Sequence, residues 1–252
     1  MKIGLVQYCP VWEDKEASKK KILSMLTYTE HIELLIFPEM SLTGFSMNSK
    51  NIGEGIGGSS VRFFSELSVD KKSNVIAGIV EKRKERFYNT LIHINPYGKL
   101  VKLYRKIHPF SYSGEDKYYS AGVRPAMSKI RKWKIGLTIC YDLRFPELFR
   151  KYGKKRAQLI VNIANWPDTR IEHWRTLLKA RAIENQCYIV AVNRVGDDPK
   201  LQYIGFSGVF DPMGKEIVSV KNEERVIIVD LDKKYVNEIR EKFPFLNDIK
   251  LI

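Results

Sequence analysis

The stretch Lys134–Arg150, KIGLTICYDLRFPELFR, carries the reading of the whole chain. Ile135, Leu137 and Ile139 alternate there with Gly136, Thr138 and Cys140, the pattern of a buried strand, and Pro146 then opens a short helix. Cys140 stands at the elbow between the two. A thiol placed there faces unsatisfied amide N–H groups and the positive end of a helix dipole, which favour thiolate and suit a nucleophile. Free cysteine is also among the most buried residue types, so on this stretch alone a packing role is an equal alternative.

Working outward, KIGLTIC at Lys134–Cys140 nearly repeats KIGLVQY at Lys2–Tyr8. Further landmarks recur in the same order. LLIFPE at Leu34–Glu39 aligns with LIVNIA at Leu159–Ala164, and Ala77–Ile79 with Val190–Val192; the hairpin NTLIHINPYGKLV from Asn89 has its counterpart in GFSGVFDPMGKEIV from Gly205. The repeat predicts two halves related by a pseudo-twofold, each running strand, helix, strand, helix, strand and closing hairpin. A helix from about Lys15 to Thr29 places Ile22, Met25 and Leu26 on one face. A second, N-capped by Ser59 or Ser60, buries Phe63, Phe64 and Leu67, and His173–Asn185 spaces Trp174, Leu177, Leu178 and Ala182 helically. Leu34–Phe37 and Leu159–Ile163 are apolar runs, as strands covered on both faces are. The turns NPYGK and DPMGK carry Pro and Gly where turns need them. The expected fold is α/β: a four-layer αββα sandwich of two mixed, six-stranded-type sheets, with residues 1–252 as a single domain.

Composition narrows the function. A chain of 252 residues can bury one large core. No apolar run is long enough to span a bilayer, and MKIGLVQYCPVWEDKE lacks the order of a signal peptide, so the expected location is the cytoplasm, with no membrane partner. Cys9, Cys140 and Cys187 are an odd number of scattered cysteines, which argues for reduced thiols. The formal charge of +14 would suit a nucleic-acid binder. The basic residues, however, are spread as Lys19–Lys21, Lys82–Lys84, Lys154–Arg156 and Lys233–Lys234, mostly beside acids, without an aromatic-interleaved strand motif or zinc-finger spacing. A solvated basic surface and no nucleic-acid partner are expected.

Three further residues bear on chemistry. Glu39 follows Pro38 directly after the run LLIF, where a carboxylate beside apolar neighbours resists ionisation and suits a general base; capping the next turn is the alternative. Lys106 ends KLVKLYRK, and an ammonium near a thiol stabilises thiolate and oxyanion alike, although a lysine in so basic a chain is by default a solvated charge. Glu115, in YSGEDKYYSAG, is a second carboxylate or a surface loop charge. A cleft between pseudo-symmetric halves would gather such strand-end residues.

FPE (Glu39), LYRKIHPF (Lys106) and CYDLRFPEL (Cys140), in this order and over essentially the whole chain, resemble the carbon-nitrogen hydrolases of the nitrilase superfamily, and Glu115 matches that family's further glutamate. The resemblance implies Glu39 as base, Cys140 as nucleophile, Lys106 with the Tyr141 backbone N–H at the oxyanion, and a thioester intermediate. ANWPDTRIEHW, KARAIENQCYIVAVNRVG and REKFPFLND are most similar to the omega-amidases, which cleave the terminal amide of short keto acids such as 2-oxoglutaramate without metal or organic cofactor. Relatives acting on N-carbamoyl amino acids, aliphatic amides or deaminated glutathione share the triad, and an idle scaffold of the same fold is the alternative from another class. No cofactor, no metal and a small-molecule amide substrate are therefore expected. The remote carboxylate of such a substrate needs a guanidinium, for which Arg144, Arg170 and Arg194 are candidates, Arg144 alternatively fixing the elbow through Glu147. Trp166, Phe110 and Tyr112 are candidate walls, Asn165 and Asn193 supporting hydrogen-bonders, and Cys9 and Cys187 core residues. The resemblance further implies a homodimer packed through the helices after Cys140 and the ANWP segment, with Phe243, Phe245 and Leu246 docking on a partner or on their own core.

Overall fold

The computed structural model describes residues 1–27 and 29–251. The first half runs β1 (Lys2–Gln7), α1 (Lys15–Met25), β2 (Leu34–Ile36), α2 (Ser49–Ile52), α3 (Ser59–Asp70), β3 (Asn74–Arg83), β4 (Arg86–Ile94) and β5 (Leu100–Arg105). The second runs β6 (Ala126–Ile130), β7 (Trp133–Ile139), α4 (Pro146–Lys154), β8 (Leu159–Ile163), α5 (Ile171–Asn185), β9 (Tyr188–Val192), β10 (Val195–Asp197), β11 (Gln202–Phe210) and β12 (Glu216–Lys221). The chain then returns as β13 (Arg225–Asp230) and ends with α6 (Lys233–Lys242).

Strand alternation builds the layers. Ile3, Leu5, Leu34 and Ile36 enter the core shared with Ile135, Leu137 and Ile139 of the other sheet, while Val6, Leu35 and Phe37 join Ile22, Phe64 and Leu67 beneath α1 and α3. Trp174 and Leu178 of α5 and Phe149 of α4 cover the second sheet. The first sheet has the order β13-β1-β2-β3-β4-β5, and the second β10-β11-β9-β8-β7-β6 with β12 on β11. Each has a parallel centre, β1–β2–β3 or β7–β8–β9, flanked by antiparallel strands. The expected four-layer sandwich and its pseudo-twofold are therefore present. The repeat even extends to strands that the sequence did not reveal, since β13 lies beside β1 as β6 lies beside β7. Short β10 makes the second sheet seven-stranded rather than six.

Two helix ends differ from expectation. α1 stops at Met25 rather than near Thr29, because the Leu26 and Thr27 N–H groups and the Thr27 hydroxyl close its last carbonyls; Tyr28 lies outside the described residues. α3 is capped by Gly58, not by Ser59 or Ser60. Those serines already sit in the first turn, where Glu54 accepts from the Ser60 N–H and hydroxyl, at 3.1 and 2.7 Å, and supplies the missing anion. At the other terminus α6 buries Val236 and Ile239 and ties Arg240 to Gln186 O at 2.9 Å; Leu246 is buried, while Phe245 stays exposed. Among the described residues no helix is long and apolar enough to cross a membrane.

Candidate active site

The strand ends converge. Glu39 comes from the turn after β2, Lys106 from the end of β5 and Cys140 from the end of β7, and all three are buried. The Glu39 turn exists because Gly78 of β3 lies directly under it: a Cβ there would come within 2.4 Å of Met40 N and 2.7 Å of Glu39 Cα. Gly122 plays the same part behind Lys106, donating its N–H to Lys106 O at 2.7 Å. Cys140 holds a left-handed φ of 44°, uncommon for a residue with a Cβ, and opens a 3₁₀ turn, Cys140–Arg144, before α4 begins.

A charge network fills the space between the sheets. Lys106 Nζ donates to Glu39 Oε1 at 2.8 Å and to Glu115 Oε2 at 2.8 Å. Asn89 Nδ2 bridges the same carboxylates at 2.7 and 2.8 Å. Phe110 N–H donates to Glu115 at 2.5 Å, and Asn165 N–H to Glu39 Oε2 at 2.8 Å. The Cys140 thiol points toward Asn165 O at 3.8 Å. Burial works against the Lys106 ammonium, but Glu115 and Glu39 overcome it, so its pKa is raised well above the usual value. Burial raises Glu115 against the pull of Lys106, with the Glu39 charge acting in the same direction as burial.

The thiol departs from the thiolate expected of the elbow. Burial, reinforced by the Glu39 charge, raises the Cys140 pKa well above its ordinary value of 9.0, and Lys106 only partly opposes this. The geometric reason is that the strand runs into a short 3₁₀ turn, leaving Cys140 outside the first turn of α4, where the dipole acts.

Beside Cys140 opens a cavity of about 290 Å³. Cys140, Tyr141, Asn165 and Trp166 line it with Phe110, Arg144 and Arg170, whereas Glu39, Lys106 and Glu115 lie behind the wall. The Arg144 guanidinium sits 4.8 Å over the Trp166 ring with Nη2 3.2 Å from His173 Nδ1, and that of Arg170 5.4 Å over the Phe110 ring. Neither pairs with a carboxylate among the described residues, so Arg144 is not tied to Glu147. The cavity's own acids are engaged: Glu13 holds Asn48 Nδ2 at 2.9 Å, and Asp198 accepts from Tyr203 OH at 2.5 Å. Arg194 leaves the candidate set, because it is fully buried off the cavity wall and donates to Asp197 O and Cys9 Sγ at 2.8 and 3.1 Å. Tyr112 leaves it too: it is 87% exposed and off the cavity lining, its ring 5.8 Å from that of Phe110. Cys187 is a core residue; Cys9 is only half-buried. Asn193 holds Trp166 N–H and O at 2.7 and 2.9 Å, the supporting role expected of it.

Sequence reasoning missed Asn89 and a brace under the elbow. Asp142 is fully buried and accepts from Ile139 N at 3.0 Å, Tyr104 OH at 2.7 Å and His108 N at 3.1 Å, with His108 Nδ1 at 2.8 Å. The motif residues Asp142 and His108 thus join the Cys140 turn to the Lys106 loop. The family model for carbon-nitrogen hydrolases matches residues 2–241.

The chain belongs to the carbon-nitrogen hydrolase family. This hydrolase is 34% identical over 224 residues to the 2-oxoglutaramate amidase of Bacillus subtilis, covering 88% of this chain and 86% of that one. It is 33% identical over 252 residues to the omega-amidase YafV of Escherichia coli, covering 98% and 96%. Among solved structures it superposes, with a TM-score of 0.96 and 30% identity, on a CN-hydrolase superfamily protein of Xanthomonas campestris carrying an arsenic adduct in its active site; 100% of this chain and 98% of that one are covered.

Proposed function

We propose that this hydrolase is a cysteine-dependent amidase, folded as one catalytic domain, that cleaves the terminal amide of a short keto-dicarboxylic acid monoamide. The observation that carries the reading is the buried Glu39–Lys106–Glu115 network behind a cavity whose wall combines Cys140 with Arg144 and Arg170, guanidiniums without carboxylate partners among the described residues. The names of its relatives, 2-oxoglutaramate amidase and omega-amidase, support the same substrate class.

A thiol that is neutral at rest needs a base at the moment of attack, and Glu39 takes the proton as sulfur bonds to the amide carbon. The negative charge developing on oxygen is met by Lys106 and by the Tyr141 N–H, which as an opening donor of a 3₁₀ turn has no acceptor within that turn. Glu39 returns the proton to the leaving nitrogen and ammonia departs. Water, deprotonated by the same carboxylate, then attacks the thioester at Cys140 and releases the acid. Glu115 and Asn89 hold Lys106 and Glu39 in register throughout. Arg144 and Arg170 bind the far carboxylate, and Phe110 and Trp166 shape the space between.

The test compares ammonia release from 2-oxoglutaramate, glutamine, an N-carbamoyl amino acid and a simple aliphatic amide. A strong preference for the first is expected; turnover of the aliphatic amide alone would reject the carboxylate-binding role of the arginines. We further propose a homodimer packed through α4 and α5, on whose surface Ile183 remains 48% exposed. Sedimentation of a monomer at micromolar concentration would remove that assignment.

A further inference from the structure

The fold gathers positive charge that the sequence seemed to scatter. Arg83 and Arg86 are register partners at the end of the β3–β4 hairpin, and Lys129 and Lys134 are register partners in the β6–β7 hairpin. Lys151 and Lys155 face one another at helical spacing where α4 ends, the Lys155 N–H reaching Lys151 O at 3.3 Å. Like charges placed directly across a strand pair, or four apart on a helix, destabilise the fold.

All three pairs open onto one trough. Arg83, Arg86, Lys151 and Lys155 line a hollow of about 640 Å³, Lys129 and Lys134 line an adjoining one of about 690 Å³, and Lys102, Met127 and Lys155 belong to both. These six cations, with Lys102 and Arg124, have no carboxylate partner among the described residues; Arg105, on the same wall, is already held by Glu81 at 2.6 Å. The trough shares no lining residue with the cavity beside Cys140. Three unrelieved like-charge pairs converging on one concave surface are what an anion with several charges would neutralise at once.

The rings narrow its class. Tyr104 and Tyr152 are buried, and the ring of Tyr88 is covered by the Arg105 guanidinium at 4.5 Å, so no free aromatic platform offers itself to stacked bases. A concave trough also does not fit a flat headgroup surface. We propose that the trough is a binding site for an oligophosphate, a compact chain of phosphoryl groups either free or carried on a small molecule.

Calorimetry and thermal melting of the full chain with inorganic tripolyphosphate, and in parallel with ATP, test this and distinguish the free chain from a nucleoside-borne one. Tripolyphosphate or ATP is expected to bind and raise the melting temperature, and added salt to weaken both effects. Arg86→Gln combined with Lys155→Gln removes two of the like-charge pairs. That variant should bind the probe at least about tenfold more weakly, melt no lower than the parent without ligand, and keep amide hydrolysis unchanged. Absence of any heat or melting shift at about 50 mM salt, or equal binding by the double variant, overturns the proposal. So does capture of duplex DNA or of phosphatidylserine vesicles without affinity for either phosphate probe.

Discussion

The ends of β1 and β7 are the same local sequence put to opposite uses. KIGLVQY and KIGLTIC occupy equivalent central strands, so Tyr8 stands in the first half where Cys140 stands in the second. Cys140 bends into the left-handed region and comes out on the cavity wall. Tyr8 is not among the positive-φ residues; its ring is buried, its hydroxyl donates to Ser41 O, and burial pushes its pKa up. Ser41 in turn accepts from Gly78 N–H and donates to Pro38 O at 2.6 Å, closing the turn that carries Glu39. A duplicated frame thus yields one strand end that opens onto the cavity and one that braces the turn carrying Glu39. The difference lies in a single backbone bend, not in the strands.

The sharpest way to break the comparison is at the Cys140 end. Cys140→Ala should lower turnover by about a thousandfold or more while leaving the melting temperature close to that of the parent, because one small buried atom is removed from a cavity wall. An acyl adduct found by intact mass on Cys9 or Cys187 during turnover would move the nucleophile elsewhere. Lys106→Met should fail on both counts. Glu39 and Glu115 would then face each other in the interior without the ammonium, at a cost of about 3–5 kcal/mol measurable by urea unfolding, besides the loss of activity. If that variant proved as stable as Cys140→Ala, the network would be a solvated one.

A third effect lies where the two halves meet. His93 of β4 has Nδ1 2.5 Å from the Ser128 hydroxyl of β6 and donates from Nε2 to Asn74 Oδ1 at 3.1 Å, across the sheet junction. Burial lowers its pKa from 6.5 to about 4. Between those values the unfolded chain takes up a proton that the folded one refuses. The contribution is therefore complete above pH 6.5 and is lost as pH falls toward 4, by about 3 kcal/mol in all. His93→Asn should flatten this acid limb in urea titrations; an unchanged limb would assign it to the carboxylates.

How much of this was written in the sequence follows from the range of each interaction. The sandwich was legible because burial on both faces of β2 and β8 forces apolar runs, and a duplicated frame repeats them. The site's acid, amine and thiol were legible as strand-end motifs. β6, β10 and β13 were not, for edge strands such as β13, whose residues are mostly exposed or half-buried, carry no comparable run. Arg194 and Tyr112 were misplaced because sequence fixes which loop a side chain leaves from, not the side to which the loop turns it. Asn89 and Gly78 carry no local signal at all, since their roles rest on carboxylate and backbone atoms brought by β2 and its turn.

The smallest effect sharpens the comparison most. Tyr8→Phe keeps the ring and removes only the donor to Ser41 O, leaving one buried carbonyl short of a partner, at about 1–2 kcal/mol. In a chain of this size that lowers the melting temperature by a few degrees, on the order of 2–8 °C. Turnover should be unaffected, since Ser41 N–H still reaches Gly78 O at 2.9 Å and Asn165 still holds Glu39. Lost turnover at unchanged stability would mean that Tyr8 acts in the chemistry, and the two strand ends would then share one function.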